Sequence, residues 1–160
     1  MTTKSSGFSL IELLVVVAII GILSAVATVS YQGYVSGTKK KSTENIMQQI
    51  GLLQTEYLSN TGDYYFSEGG SGATGDDDAL DACTPSSNLD DRSGTSEEIE
   101  DNLFDGGDII NAEMGYWICT ASYKVSSYII VAEEEGAADD AERCKMSMTA
   151  NSNWNRNENC

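Results

Sequence analysis

Hydrophobic positions change rhythm along this chain. From Phe8 to Val29 they run almost unbroken, opening Phe8-Ser9-Leu10-Ile11-Glu12-Leu13-Leu14-Val15-Val16-Val17. As a helix this run would extend ~33 Å, enough to cross a bilayer core of about 30 Å. From Tyr31 to Asn60 the pattern becomes amphipathic helix. Ile46, Ile50, Leu53 and Tyr57 recur at helical spacing after Tyr31, Tyr34 and Val35. Gly33, Gly37 and Gly51 each weaken that helix by up to ~1 kcal/mol, and Ser59-Asn60-Thr61-Gly62 reads as its stop.

Asp63 to Gly115 is rich in Gly, Ser, Asp and Glu, with Asp76-Asp77-Asp78, Asp90-Asp91 and Asp105-Gly106-Gly107-Asp108. It reads as a long irregular connection with a short helix near Glu97–Phe104. Strand patterns follow at Tyr116–Tyr123 and Tyr128–Ala132, joined across Val125-Ser126-Ser127 as a hairpin. The alternation of Cys144–Ala150 fits a third strand, and the tail from Trp154 to Cys160 is polar and Asn-rich.

At 160 residues the chain has room for one domain plus an extension. Its formal net charge of -16 argues against nucleic acid as a partner, because such binding rests on neutralising phosphates with Lys and Arg. The acidity fits a solvated surface. With no His, the usual general base and the commonest neutral metal ligand are missing. No nucleophile elbow or phosphate loop is present either, so no catalytic residue, metal or cofactor is assigned and the chain reads as a non-enzyme. A calcium site in the acidic connection is the weaker alternative to a solvated loop, since the spacing matches no EF-hand. All four cysteines (Cys83, Cys119, Cys144 and Cys160) lie in the C-terminal half, without a Cys-x-x-Cys pair. That usage reads as two disulfides in an exported domain, with three pairings open. Lys39-Lys40-Lys41 pulls the other way under a positive-inside count. It reads as a solvated face, with contact to acidic regions of neighbouring subunits as the alternative.

Glu12 is the one ionisable residue in the apolar run, and a carboxylate there is costly and points to function. A plain signal anchor would leave Glu12 at the interface. A secreted protein cut after Ala27 would use Ala25-x-Ala27, yet Glu12 would then sit in a segment that should be uncharged. A third reading rests on the words Gly7-Phe8-Ser9-Leu10-Ile11-Glu12-Leu13.

The stretch from Gly7 to Tyr34, ending in Tyr31-Gln32-Gly33-Tyr34, resembles the signature of the type IV pilin family, shared with type II secretion pseudopilins. The resemblance implies cleavage between Gly7 and Phe8 by a prepilin peptidase, N-methylation of Phe8, and an assembly role for Glu12. It implies an α+β pilin fold: a long N-terminal helical spine packed on a small antiparallel sheet. Residues 1–7 would be the cleaved leader and 8–30 the transmembrane and filament-core helix. Residues 31–62 would form the amphipathic half of the spine, 63–115 an acidic Gly-rich loop, and 116–160 the sheet with a disulfide-closed C-terminal loop. In the family a disulfide commonly ties the chain end to the sheet, which implies Cys144–Cys160 and, with it, Cys83–Cys119. Val29 stands where many pilins carry a Pro, which puts the family's helix kink in doubt.

The implied function is a structural subunit of a type IV pilus serving adhesion, motility or DNA uptake; a type II secretion pseudopilin is the alternative. The implied partners are identical subunits in a helical filament, the prepilin peptidase, the inner-membrane assembly machinery, and the membrane before assembly. The implied location is the inner membrane with a periplasmic head, then the cell surface. The physics of the segment agrees. A cationic amine on Phe8 opposes the helix dipole and gains from a carboxylate at Glu12, in the same chain or a neighbour. Buried among packed helices, either charge alone would be strongly penalised.

Overall fold

The computed structural model of the chain describes residues 8–67, 80–85, 94–110, 112–122, 126–136 and 142–160. The leader with Gly7, and the acidic runs Asp76–Asp78 and Asp90–Asp91, lie outside them. The protein divides into two compact units at Thr38 and Lys39, and helix α1 (Leu10–Thr61) contributes to both. The backbone stays helical through Val29.

In the second unit α1 packs on a four-stranded antiparallel sheet in the order β1 (Tyr116–Ser122), β2 (Tyr128–Glu134), β3 (Lys145–Thr149), β4 (Trp154–Arg156). Side chains alternate across the sheet because successive strand residues point to opposite faces. Tyr116, Ile118, Tyr128, Ile130, Ala132, Met146 and Met148 meet Ile46, Met47 and Ile50 of α1 in the main core. Cys119, Ala121, Ile129 and Val131 face the other way and are covered by Ala82 and Cys83. Cys83 is bonded to Cys119, which staples residues 80–85 to that second face. β4 was not legible in the sequence; three residues pair with Met146–Met148 although Asn155 and Arg156 are exposed and polar.

The buried face of α1 differs from the apolar spacing. Thr43, Glu44, Met47, Gly51 and Gln54 are buried, whereas Leu53 and Tyr57 are only partly so. Gly51 is there for proximity. A Cβ on it would lie 3.1 Å from the Tyr128 hydroxyl and 3.2 Å from Met148 Cε, and that hydroxyl donates to the Gly51 carbonyl at 3.1 Å. Glu44 ties α1 to β4, with Lys41 at 2.6 Å and Arg156 at 2.9 Å. Burial would raise its carboxyl, but the two cations outweigh it and hold the group below the usual carboxylate range. Lys40 donates to the Cys160 carbonyl. At least two of the three lysines are therefore engaged within the head rather than lying on a merely solvated face.

Helix α2 (Thr95–Leu103) seals the outer edge of β1, which would otherwise offer unpaired backbone groups to another strand. Ile118 N–H donates to Ser96 Oγ at 3.0 Å, and Thr95 Oγ1 donates to the Ile118 carbonyl at 2.8 Å. Thr120 N–H donates to Ser67 Oγ at 2.9 Å, and Ser67 N–H donates to the Thr120 carbonyl at 3.0 Å.

Glu100 anchors both ends of the Asp105-Gly106-Gly107-Asp108 turn, inside which Gly107 N–H donates to the Phe104 carbonyl at 3.1 Å. The Glu100 backbone carbonyl accepts from Phe104 and Gly106, and its buried carboxylate accepts from Ile109 and Ile110 N–H. Asp105 and Gly106 take left-handed φ values of 58° and 78°, the helix-ending geometry that glycine favours. Burial pushes the Glu100 carboxyl up, and Asp108 and Glu97 add to this against the two N–H donors. A raised folded-state value means that Glu100 contributes fully below the unfolded carboxyl pKa, and that this contribution is lost as pH rises through the folded value. Glu100→Gln keeps an acceptor for both N–H groups and removes the charge. Thermal unfolding from pH 4 to 7 should find it at least as stable as the parent at pH 7, with the difference closing toward pH 4. A parent that gains on Glu100→Gln as pH rises would contradict this.

Cys144 is bonded to Cys160 with Cα atoms 4.6 Å apart, closing a sequence separation of 16. Replacing both by Ser should cost about 3 kcal/mol and lower the head's melting temperature by about 10 °C. An unchanged melting temperature, with or without reductant, would contradict the bridge's role.

Candidate functional site

The first unit presents the other distinctive chemistry. Every described side chain from Phe8 to Thr28 is exposed, with Phe8 at 85% and Leu10 at 80%. α1 is long and apolar enough to cross a membrane. An uncovered apolar surface on this scale calls for lipid or other apolar helices around it. Two hydroxyls along it, those of Ser24 and Thr28, are satisfied by the helix itself. Ser24 Oγ donates to the Ile20 carbonyl at 2.7 Å and Thr28 Oγ1 to the Ala25 carbonyl at 3.1 Å. That arrangement suits a segment placed where water cannot serve as a partner.

Glu12 sits in the first turn. Its Oε2 accepts the Ser9 N–H at 2.9 Å, while Glu12 and Leu13 N–H donate to the Ser9 carbonyl at 3.1 and 3.3 Å. This is the carboxylate half of a capping box, written in the sequence as Ser9-Leu10-Ile11-Glu12. This cap is independent of any pairing between Glu12 and Phe8, and its Ser-x-x-Glu spacing is a local signal in the sequence. The negative side chain also lies at the positive end of the helix dipole. Of the residues singled out from the sequence, Phe8 and Glu12 fall together at this helix start, the cysteines form two bridges in the head, and Gly7 lies outside the described residues.

An apolar helix long enough to cross a membrane, capped at its start by Glu12, together with a disulfide-bonded α+β head, fits the class of membrane-anchored precursors. Residues 2–28 match the family described as the prokaryotic N-terminal methylation motif. The chain is 39% identical over 64 residues to a fimbrial protein of Neisseria meningitidis serogroup B, covering 40% of this chain and 38% of that one. It is 42% identical over 55 residues to a type IV major fimbrial protein of Dichelobacter nodosus, covering 34% of this chain and 33% of that one. It is 40% identical over 62 residues to a type IV major pilin of Neisseria gonorrhoeae, covering 39% of this chain and 38% of that one. The matches thus span less than half the length of each of these relatives. No solved structure matches the chain at a significant level. The motif and these relatives support a type IV pilin family for the chain.

Proposed function

We propose that this chain is the structural subunit of a type IV pilus, and that it catalyses nothing itself. The observation that carries the proposal is an exposed apolar helix, matched to the methylation motif, with its one carboxylate fixed at the N-terminal turn. A prepilin peptidase cuts between Gly7 and Phe8, and Phe8 becomes the methylated N-terminus. The precursor waits in the inner membrane with its head in the periplasm, where the disulfides form.

Assembly exchanges lipid for neighbouring helices. In the bilayer, residues 8–30 are solvated by acyl chains; in the filament, identical apolar helices cover them. The new Phe8 amine and Glu12 lose water together, so a register in which each meets the other is favoured over one that strands either charge. Glu12 keeps one oxygen on its own Ser9 N–H, which fixes the direction in which the other is offered. The names of the relatives favour a pilus over a secretion pseudopilus.

Deleting the gene and examining the cells by electron microscopy tests the reading. Surface filaments should vanish, return on complementation, and contain the chain when sheared off. Filaments unchanged by the deletion would overturn it, and a processed chain held in the cell envelope would indicate the pseudopilus.

A further inference from the structure

The last turns of α1 and the end of α2 converge on a groove of about 480 Å³, lined among others by Leu53, Glu56, Tyr57, Leu103, Phe104 and Asp105. Tyr57, Leu103 and Phe104 pack against the core on one side and keep part of their surface open. Tyr57 is further braced edge-on by Tyr65, with centroids 5.5 Å apart. The rim is anionic. Glu56 and Asp105 are exposed, no basic residue lines the groove among the described residues, and neither helix carries a basic residue in its last turn. Two negative dipole ends therefore meet there without a compensating cation of their own.

That electrostatic setting selects a cation, and the aromatic floor selects one with a flat, weakly hydrated face. A guanidinium meets both demands better than an ammonium, because it stacks on rings while its N–H fork engages carboxylates. A second copy of the chain is a poor source, since its own net charge of -16 opposes approach to an anionic groove and, among the described residues, Lys40, Lys41, Arg143, Lys145 and Arg156 are engaged within their own head. We propose that this groove docks an arginine side chain presented by a basic segment of another protein, stacked on Phe104 and Tyr57 and held by Glu56 and Asp105. The net charge of -16 draws basic partners toward the whole surface, and the groove adds a shaped contact to that attraction.

The full chain in non-ionic detergent, titrated calorimetrically at low salt with the blocked peptide acetyl-Gly-Arg-Gly-Arg-Gly-amide, provides the test. Phe104→Leu keeps the charge and most of the volume and should weaken binding about threefold. Glu56→Gln with Asp105→Asn should weaken it about fivefold. Glu113→Gln with Glu158→Gln changes the charge equally at exposed sites outside the groove, and should weaken it less than about twofold. Failure of the parent chain to bind, equal losses in the two double variants, or parent affinity in Phe104→Leu would overturn the proposal.

Discussion

Cells carrying Glu12→Ala should insert and process the chain normally yet show filament yield reduced about a hundredfold or more, the scale expected when one partner of a buried charge pair is removed. Two roles meet in Glu12, and a second variant separates them. Its Oε2 caps the helix by accepting Ser9 N–H at 2.9 Å, while its charge is the partner proposed for the Phe8 amine. Glu12→Gln retains an amide oxygen for the Ser9 N–H and loses the charge. If charge pairing drives assembly, Glu12→Gln fails as badly as Glu12→Ala. If capping alone matters, Glu12→Gln makes filaments and Glu12→Ala does not. Counting sheared filaments by microscopy, with membrane and cleaved fractions followed by immunoblot, distinguishes the two. Normal filaments from Glu12→Gln would contradict the charge-pairing mechanism.

Gln54→Ala should be the most damaging single substitution in the head, costing about 3–5 kcal/mol. Gln54 is fully buried in α1 and acts as a two-way bridge to the chain after the helix. Its Nε2 donates to the Tyr65 carbonyl at 2.9 Å, and its Oε1 accepts Tyr65 N–H at 2.8 Å. Truncation strands both backbone groups at about 1–3 kcal/mol each and opens a void besides. Gln54→Glu offers a sharper comparison. Ionised, it accepts from Tyr65 N–H but cannot donate to the carbonyl, and it buries a charge. Protonated, it can do both. Burial raises such a carboxyl, so the variant's stability deficit should shrink as pH falls. Thermal unfolding at pH 7 and pH 4 reads both effects; a loss under 1 kcal/mol for Gln54→Ala would contradict this assignment.

Gln54 also marks the limit of reading the sequence. The apolar run, the strands Tyr116–Ser122, Tyr128–Glu134 and Lys145–Thr149, and helix α2 were legible because each has a local signature in hydrophobic period or turn residues. The buried face of α1 was not. Ile46 and Ile50 carried the signal, but Gly51, Gln54 and Thr43 are buried for backbone proximity and hydrogen bonding that no hydropathy period encodes. The closing of β1's edge by Ser67, Thr95 and Ser96 was equally hidden, since hydroxyl residues in a polar stretch read as loop until their partners are known. Arg156 reaches Glu44 across a separation of 112 residues, which spacing could not reveal, whereas Lys41 is a local i,i+3 neighbour of Glu44 on the helix. At the N-terminus the reverse holds. Ser9 and Glu12 are three apart, and the cap they form is a purely local motif.

The proposed function requires a chain that is clipped at Gly7 and works from Phe8 as a filament subunit. Intact mass and N-terminal sequencing of the protein from a sheared surface fraction test it most directly. The chain recovered should begin at N-methylated Phe8 and carry two disulfides. A chain that begins after Ala27, or one that retains Met1–Gly7 in the filament, would contradict it.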